Sequence, residues 1–78
     1  MTAHAQTTSK ASIHVTLNGE ARELPAGLSL SAMLTHLGLD PRKVAVERNL
    51  EIAPRSAYGD IDVADGDRLE IVQFVGGG

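Results

Sequence analysis

The sequence predicts an α+β fold in which one short helix covers one face of a mixed β-sheet. Three observations support this prediction. The first apolar segment alternates with polar residues, as a half-buried strand does. The pairs Asn18-Gly19 and Asp65-Gly66 mark tight turns. A single segment between those turns has the apolar spacing of an amphipathic helix. With 78 residues, the chain has room for one domain with one small core.

The first part of the chain predicts a β-hairpin. Apolar and polar residues alternate over residues 13–17, which predicts the first strand. Asn18 and Gly19 follow, and both residue types accept the positive φ angles of a two-residue hairpin turn. A second strand is predicted over about residues 20–24, and the Pro-Ala-Gly segment at residues 25–27 ends it.

The middle of the chain predicts the helix, over about residues 29–37. The hydroxyl of Ser29 can cap its N-terminus. Gly38 suits the position after its last turn, and Pro41 prevents the helix from continuing. The apolar residues that share one stripe, at i, i+3, i+4 and i+7, are Leu30, Met33, Leu34 and Leu37.

The second half of the chain predicts the rest of the sheet. Residues 44–46 are β-prone and predict a buried central strand, and residues 50–52 predict a short edge segment. Residues 54–56 favour an irregular stretch or one helical turn, residues 61–63 another short strand, and residues 69–75 the last strand. This order of hairpin, helix, strand, irregular crossover and strand is typical of a β-grasp arrangement, with a sheet of four to five strands.

The ends of the chain differ from this domain. Residues 1–11 show no periodicity and predict a disordered lead-in, residues 12–75 the folded domain, and residues 76–78 a flexible glycine tail. Residues 1–12 lack the apolar region of a secretory signal. No apolar run approaches the roughly 20 residues of a transmembrane helix. We therefore expect a cytoplasmic protein without a membrane partner.

Composition narrows the function classes. The chain has no cysteine, which excludes disulfides, thiolate catalysis and cysteine-ligated metal centres. Its net charge is −3 and its cations are spread along the sequence, so we expect no nucleic-acid partner. The three histidines lack metal-ligand spacing, and the aspartates between residues 60 and 67 predict turns, so we expect no metal site.

Gly76, Gly77 and Gly78 follow directly after the last apolar strand. Three residues without side chains can thread a narrow channel over about 10 Å, at roughly 3.3–3.6 Å each, and bring only the terminal carboxylate into a partner's active site. The carboxylate oxygen can attack the α-phosphate of ATP to form an acyl-adenylate, and sulfur can then displace AMP to leave a thiocarboxylate. The chain has no phosphate-binding loop, so a separate enzyme must perform this activation. The alternative is a frayed end or a cloning scar.

Several segments together are similar to one known family. They are Leu17-Asn18-Gly19-Glu20, VAVERN at residues 44–49, EIAPRSAY at residues 51–58, DGD at residues 65–67 and EIVQFVGGG at residues 70–78. The chain resembles the sulfur carriers of thiamine biosynthesis, the ThiS-like branch of the ubiquitin-like β-grasp proteins. The resemblance covers nearly all of the chain from residue 13 onward. Ala53 stands where the family often has valine.

The resemblance implies a pathway. An adenylating enzyme like those that activate ubiquitin would use ATP to adenylate Gly78, and a cysteine desulfurase or another persulfide source would supply sulfur. The thiocarboxylate of Gly78 would then donate sulfur to a thiazole synthase. The chain would act as a monomeric carrier rather than an enzyme, with no cofactor bound and with ATP used by the partner.

Some residues near the tail are candidates for partner docking. If Leu69 points into the core, alternation places Val72 and Phe74 on the open face of the sheet, beside the tail. The alternative is that Phe74 is a core aromatic. Arg55 is a further docking candidate. Glu47 and Arg48 predict a solvated strand end and Asn49 a turn, with partner contact as the alternative.

Other functions remain open from the sequence. A carrier for molybdopterin synthesis, or for cysteine or tRNA thiolation, would share the tail chemistry. The first of these families usually has a proline- and aromatic-rich approach to its glycines, which this chain lacks. A ubiquitin-like modifier would conjugate its adenylated tail to lysines. A plain binding module would have an inert tail.

Overall fold

The computed structural model describes residues 12–74. The strands in that range are β1 Ser12–Leu17, β2 Glu20–Pro25, β3 Val44–Arg48, β4 Glu51–Ile52 and β5 Arg68–Gln73, and the α-helix is α1 Leu30–His36. Short 3-10 turns cover Pro41–Lys43 and Arg55–Ala57. The predicted lead-in at residues 1–11 and the predicted tail at residues 76–78 lie outside the described residues.

The five strands form one mixed sheet in the order β2-β1-β5-β3-β4. β1 and β5 run parallel, while β1 with β2, β3 with β5, and β3 with β4 are antiparallel. This is the β-grasp arrangement that the sequence predicts, with one helix packed on one face of the sheet. The middle strand is β5, so β3 is internal but not central as predicted.

The core lies between α1 and one face of the sheet. Leu30, Met33 and Leu34 of the helix are fully buried, which confirms the predicted stripe. The buried residues from the strands are Val15, Leu17, Leu24, Val44, Val46 and Leu69. Ala53, Tyr58 and Val63 of the crossover complete the core. Each fully buried aliphatic side chain stabilises the fold by about 1.5–3 kcal/mol.

The ends of α1 follow the predicted capping. The hydroxyl oxygen of Ser29 accepts a hydrogen bond of 3.0 Å from the backbone N–H of Ala32. Leu37 is the C-cap residue, and Gly38 after it has φ +81°, a left-handed conformation that glycine adopts without strain. These contacts limit the helix to 7 residues.

The predicted turns also form. Asn18 and Gly19 have φ angles of 49° and 84° in the β1–β2 turn. At the second predicted turn, Gly66 has φ +87° and donates a backbone hydrogen bond of 2.7 Å to the carbonyl of His14. The side chain of Asp65 accepts a 2.8 Å hydrogen bond from the backbone N–H of His14. The Asp65-Gly66 turn is therefore anchored to β1.

The strand predicted at residues 61–63 is wrong. Its only ladder contact within the described chain is an isolated bridge between Ser29 and Asp62. The backbone N–H of Val63 donates to the carbonyl of Leu28, so this segment bonds to the chain that leads into α1 instead of extending the sheet. The apolar side chains of this segment indicate burial, which a loop that packs on the core also requires.

No helix in the described part of the chain has the length and apolarity needed to cross a lipid bilayer.

Candidate functional site

The predicted attachment site at Gly78 and the predicted threading residues Gly76 and Gly77 lie outside the described residues. The structure does describe the segment from which they continue, β5 and Phe74. The backbone N–H of Phe74 donates a 2.9 Å hydrogen bond to the carbonyl of Lys43, next to the start of β3. The position of β5 therefore fixes where the chain leaves the described fold. We call the exposed side chains at this point, Val72, Phe74 and Arg55, the tail root.

Two asparagine side chains hold β5 from opposite sides. The side chain of Asn18 accepts a 2.7 Å hydrogen bond from the backbone N–H of Ile71 and donates a 3.2 Å bond to its carbonyl. On the other side, the side chain of Asn49 accepts a 2.9 Å bond from the backbone N–H of Arg68, whose carbonyl accepts a 2.7 Å bond from the backbone N–H of Asn49. Both asparagines lie in hairpin turns, so each hairpin is tied to the middle strand.

The open face of the sheet is apolar beside the tail root. Leu69 is fully buried, and by alternation Val72 and Phe74 point away from the core, with exposed fractions of 61% and 47%. The alternative that Phe74 is a core aromatic is therefore wrong. A shallow groove of about 290 Å³ extends from Val72 across the face, and its lining residues are Ala45, Val46, Glu47, Ile52, Glu70 and Val72.

Arg55 connects the crossover to the tail root. Its Nη2 atom donates a 3.1 Å hydrogen bond to the carbonyl of Val44, and the hydroxyl of Tyr58 donates a 3.3 Å bond to the same oxygen. The guanidinium carbon of Arg55 lies 5.6 Å from the centre of the Phe74 ring. A cation–π contact at an exposed site contributes about 0.5–1 kcal/mol. The structure thus brings two of the three docking candidates, Arg55 and Phe74, into contact.

Asp67 is a buried carboxylate that the sequence did not single out. It is 5% exposed. Its oxygens accept hydrogen bonds from Arg48 Nε at 2.8 Å, the Ala64 backbone N–H at 2.9 Å and Asn49 Nδ2 at 3.0 Å. Burial acts to raise the pKa of Asp67, but the bonds from Arg48, Ala64 and Asn49 together outweigh it and lower the pKa below its usual value.

The interpretation of Arg48 as a solvated strand end is therefore wrong, because its guanidinium is paired with Asp67 and only 33% of its side chain is exposed. Asn49 forms the predicted turn and also holds Asp67 and β5. One signal for this cluster was available: an aspartate at the end of a turn commonly accepts a hydrogen bond from a nearby backbone N–H. The pairing with Arg48 had no local signal.

Metal ligation has no support in residues 12–74, where no group of three or more histidine, aspartate or glutamate side chains could hold an ion. His14 and His36 are exposed, as predicted. What the described residues do show at this site is an exposed apolar face next to the segment that continues into the glycines.

A family model described as the ThiS family matches residues 15–78, which is most of the chain and includes the three terminal glycines. The chain belongs to the ThiS family. This confirms the resemblance to the sulfur carriers of thiamine biosynthesis.

Individual relatives agree with the ThiS assignment. The sulfur carrier protein ThiS of Bacillus subtilis is 40% identical over 50 residues, which cover 64% of this chain and 76% of that protein. The crystal structure of the thiamine biosynthesis protein ThiS from Geobacter metallireducens superimposes with a TM-score of 0.72 at 32% identity, covering 85% of this chain and 100% of that one.

A third relative is much longer than this ThiS-family chain. The thiazole synthase of Paramagnetospirillum magneticum is 58% identical over 62 residues, which cover 80% of this chain. The chain spans only 19% of that relative's length. A domain similar to this chain is thus part of a protein named as a thiazole synthase.

Proposed function

We propose that this protein carries sulfur for the thiazole of thiamine as a thiocarboxylate on Gly78. The observation that carries the proposal is the ThiS family match, which continues through Gly78. The fold supports it, because the last described residue, Phe74, is exposed on the open face of the sheet. Four residues follow it in the sequence, and three are glycines that present no side chain to a narrow channel.

The proposed chemistry has three steps. A carboxylate oxygen of Gly78 attacks the α-phosphorus of ATP and releases pyrophosphate, which leaves an acyl-adenylate. A sulfur nucleophile then attacks the carbonyl carbon and AMP departs. Hydrosulfide gives the thiocarboxylate directly, whereas an enzyme persulfide gives an acyl disulfide whose S–S bond a thiol must then reduce. The sulfur of the thiocarboxylate finally adds to the thiazole precursor held by the thiazole synthase, and water then cleaves the bond between that sulfur and the acyl carbon, which returns Gly78 to the free carboxylate.

Partner enzymes supply the catalytic groups. The sequence has no cysteine to carry a persulfide and no phosphate-binding loop. An adenylating enzyme of the ubiquitin-activating type would bind ATP, and a cysteine desulfurase would be the indirect sulfur source. The carrier contributes the acyl group and a surface that places it.

The thiazole synthase as acceptor is supported by the long relative from Paramagnetospirillum magneticum, which bears that name and contains a segment like this chain. Two domains linked in one polypeptide encounter each other at a high effective concentration. Such a link favours domains that act in the same reaction sequence. We place docking of the adenylating enzyme on the tail root, at Val72, Phe74 and Arg55, because these side chains lie next to the segment that must enter its active site.

Intact-protein mass spectrometry of the chain from its own host tests the proposal. After incubation with ATP and host extract, we expect a species heavier by one oxygen-to-sulfur exchange, located on Gly78 by fragmentation. The matched control is a variant that lacks Gly77 and Gly78, which should not be charged. Charging of this variant, or an unchanged wild-type mass under conditions that charge another ThiS protein, would refute the proposal.

The acceptor pathway needs a separate test. A host strain that lacks this chain should require thiamine or its thiazole precursor for growth. A requirement for molybdopterin or for thiolated tRNA would instead identify one of the other sulfur carriers. High-mass conjugates in the lysate would identify a protein modifier.

A further inference from the structure

The two hairpins of this fold have the same turn backbone but different residues in it. In the β1–β2 turn, Asn18 and Gly19 have φ angles of 49° and 84°. In the β3–β4 turn, Asn49 and Leu50 have φ angles of 52° and 74°. Two-residue turns with positive φ at both positions strongly prefer asparagine followed by glycine, because a Cβ atom is crowded there. Gly19 follows that preference and Leu50 violates it.

The side chain of Leu50 gains nothing from the core in return. It is 71% exposed and is absent from the described residues that form the core or pack against it. Ile52, two residues further along the same hairpin, is 76% exposed. A single exposed apolar residue needs no explanation. An exposed leucine in a strained turn, beside a second exposed apolar residue, indicates that these side chains serve contact with another molecule.

The charges around these two side chains are acidic. Glu47 is directly opposite Ile52 in the β3–β4 ladder, whereas Glu51 is opposite Arg48 and points to the other face of the strand. Glu47 is also directly opposite Glu70 of β5, and like charges facing each other across a ladder are unfavourable for the free fold. Of the nearby cations, Arg48 is paired with Asp67, and Arg68 lies 3.5 Å from the carboxylate of Glu70, so Glu47 is the carboxylate beside Ile52 that has no ion pair among the described residues. The hairpin therefore presents apolar side chains among carboxylates, which suits a partner with an apolar pocket edged by lysine or arginine.

The turn of the hairpin lies at the opposite end of β5 from Phe74, although Ile52 lines the same groove as Val72. In the β3–β5 ladder, Val44 pairs with Gln73 at the tail end and Arg48 pairs with Leu69 at the turn end. At roughly 3.3 Å per residue, the turn lies about 15 Å from the tail root. A partner that binds at the turn therefore leaves Phe74 free to direct the glycines into an active site.

We propose that Leu50 and Ile52, with Glu47 beside them, form the surface on which the thiazole synthase docks through a basic-edged apolar pocket. The inference rests on the proposed function. The synthase is chosen over the adenylating enzyme because a relative named thiazole synthase includes a domain of this kind.

In the full chain, we expect the Leu50→Gly variant to have a higher Tm but a lower affinity for the thiazole synthase. Glycine relieves the turn, so we expect the Tm to rise by about 4–8 °C. Loss of the anchor should weaken affinity for the host's thiazole synthase, measured by calorimetry, by at least about tenfold. Leu50→Asn, which also tolerates positive φ, should behave in the same way. Glu47→Gln should weaken binding and reduce its dependence on salt.

The matched control is Gly19→Leu in the other turn. A Cβ atom at Gly19 would meet nothing within 4 Å, so this variant reports the cost of a left-handed leucine alone. We expect a lower Tm and unchanged affinity for the synthase.

A higher Tm with unchanged synthase affinity in Leu50→Gly would overturn the inference. So would weakened adenylation with intact synthase binding, which would assign the hairpin to the activating enzyme. If the wild-type chain is charged on Gly78 but does not bind the synthase, this inference fails while the carrier chemistry stands. If it is not charged, the proposed function itself fails.

Discussion

At the scale of single residues, the side chain of Asp67 connects β3, the β3–β4 turn and the turn that begins at Ala64. It accepts hydrogen bonds from β3, from the β3–β4 turn and from the backbone at Ala64. A buried carboxylate of this kind is stable only because its partners replace the water it loses. Removing its charge leaves Arg48 without its partner.

We expect Asp67→Asn to lower the free energy of unfolding by about 2–4 kcal/mol, because the half-buried Arg48 guanidinium loses its counter-charge. Urea unfolding at neutral pH measures the loss. Asp60→Asn is the control, since Asp60 is exposed, and it should change stability by less than about 0.5 kcal/mol. Equal losses in the two variants would contradict this role of Asp67.

The same residue predicts a pH dependence. The pKa of Asp67 is lowered in the folded protein, so the unfolded chain binds the proton more readily. Its contribution to stability is therefore complete above the unfolded pKa of about 3.9 and is lost as the pH falls through the lower folded pKa. Unfolding measured over the acid range should show this loss in the wild type. Asp67→Asn should lack this part of the slope, and identical slopes would exclude the linkage.

Phe74 is expected to affect binding far more than stability. Its ring is about half exposed and contacts Arg55, so Phe74→Ala should cost only about 1 kcal/mol, against about 3–5 kcal/mol for a buried phenylalanine. We expect the adenylating enzyme's KM for the carrier to rise about tenfold. Phe74→Leu, which keeps apolar area, should recover part of that loss. A large drop in Tm with unchanged KM would reassign Phe74 to the fold.

At the scale of elements, β5 holds the two halves of the sheet together. The β1–β2 hairpin and the β3–β4 hairpin contact it from opposite sides, through the ladders and through Asn18 and Asn49. The position of the tail root therefore depends on turn residues that are distant from it in sequence.

Asn18→Gly tests this dependence with the turn conformation preserved, since glycine accepts the φ of 49°. The variant removes both side-chain bonds to the Ile71 backbone and should cost about 1–2 kcal/mol. Amide exchange should accelerate at Ile71 more than at buried positions of α1. Unchanged exchange at Ile71 would show that water replaces the asparagine without loss.

At the scale of the whole molecule, stability and charging are expected to separate. All the core residues that the structure describes lie within residues 12–74. A variant without Gly77 and Gly78 should therefore melt within about 1 °C of the wild type, because only a change of about 1 kcal/mol shifts the Tm of such a domain by 4–8 °C. Calorimetry on both proteins measures this. A substantially lower Tm would mean that the glycines take part in the fold.

Local signals explain how much of the molecule could be predicted. Asn18-Gly19, the cap at Ser29 and the stripe from Leu30 to Leu37 each determine structure within a few residues, so the first hairpin, the helix and the order of these elements along the chain followed from the sequence. The exposure of Phe74 followed from alternation once Leu69 was placed in the core.

The missed features depend on contacts that are distant in sequence. Arg48 and Asp67 are 19 residues apart, and nothing near either residue indicates the partner. Val63 is buried as its apolar side chain suggests, but its backbone N–H donates to the carbonyl of Leu28 and not to a strand. The positive φ of Leu50 could not be predicted from the sequence, because leucine normally avoids that conformation.

The parallel pairing of β1 with β5 has a mechanical consequence. When a partner draws the glycines into its active site, tension enters the domain along the axis of β5. The bonds of Thr16 and Asn18 to β5 lie across that axis, so they are loaded in shear and share the load. Bonds loaded together yield at higher force than bonds that unzip one at a time. The domain should therefore stay folded under traction on its tail, and single-molecule pulling from the two termini would measure that resistance.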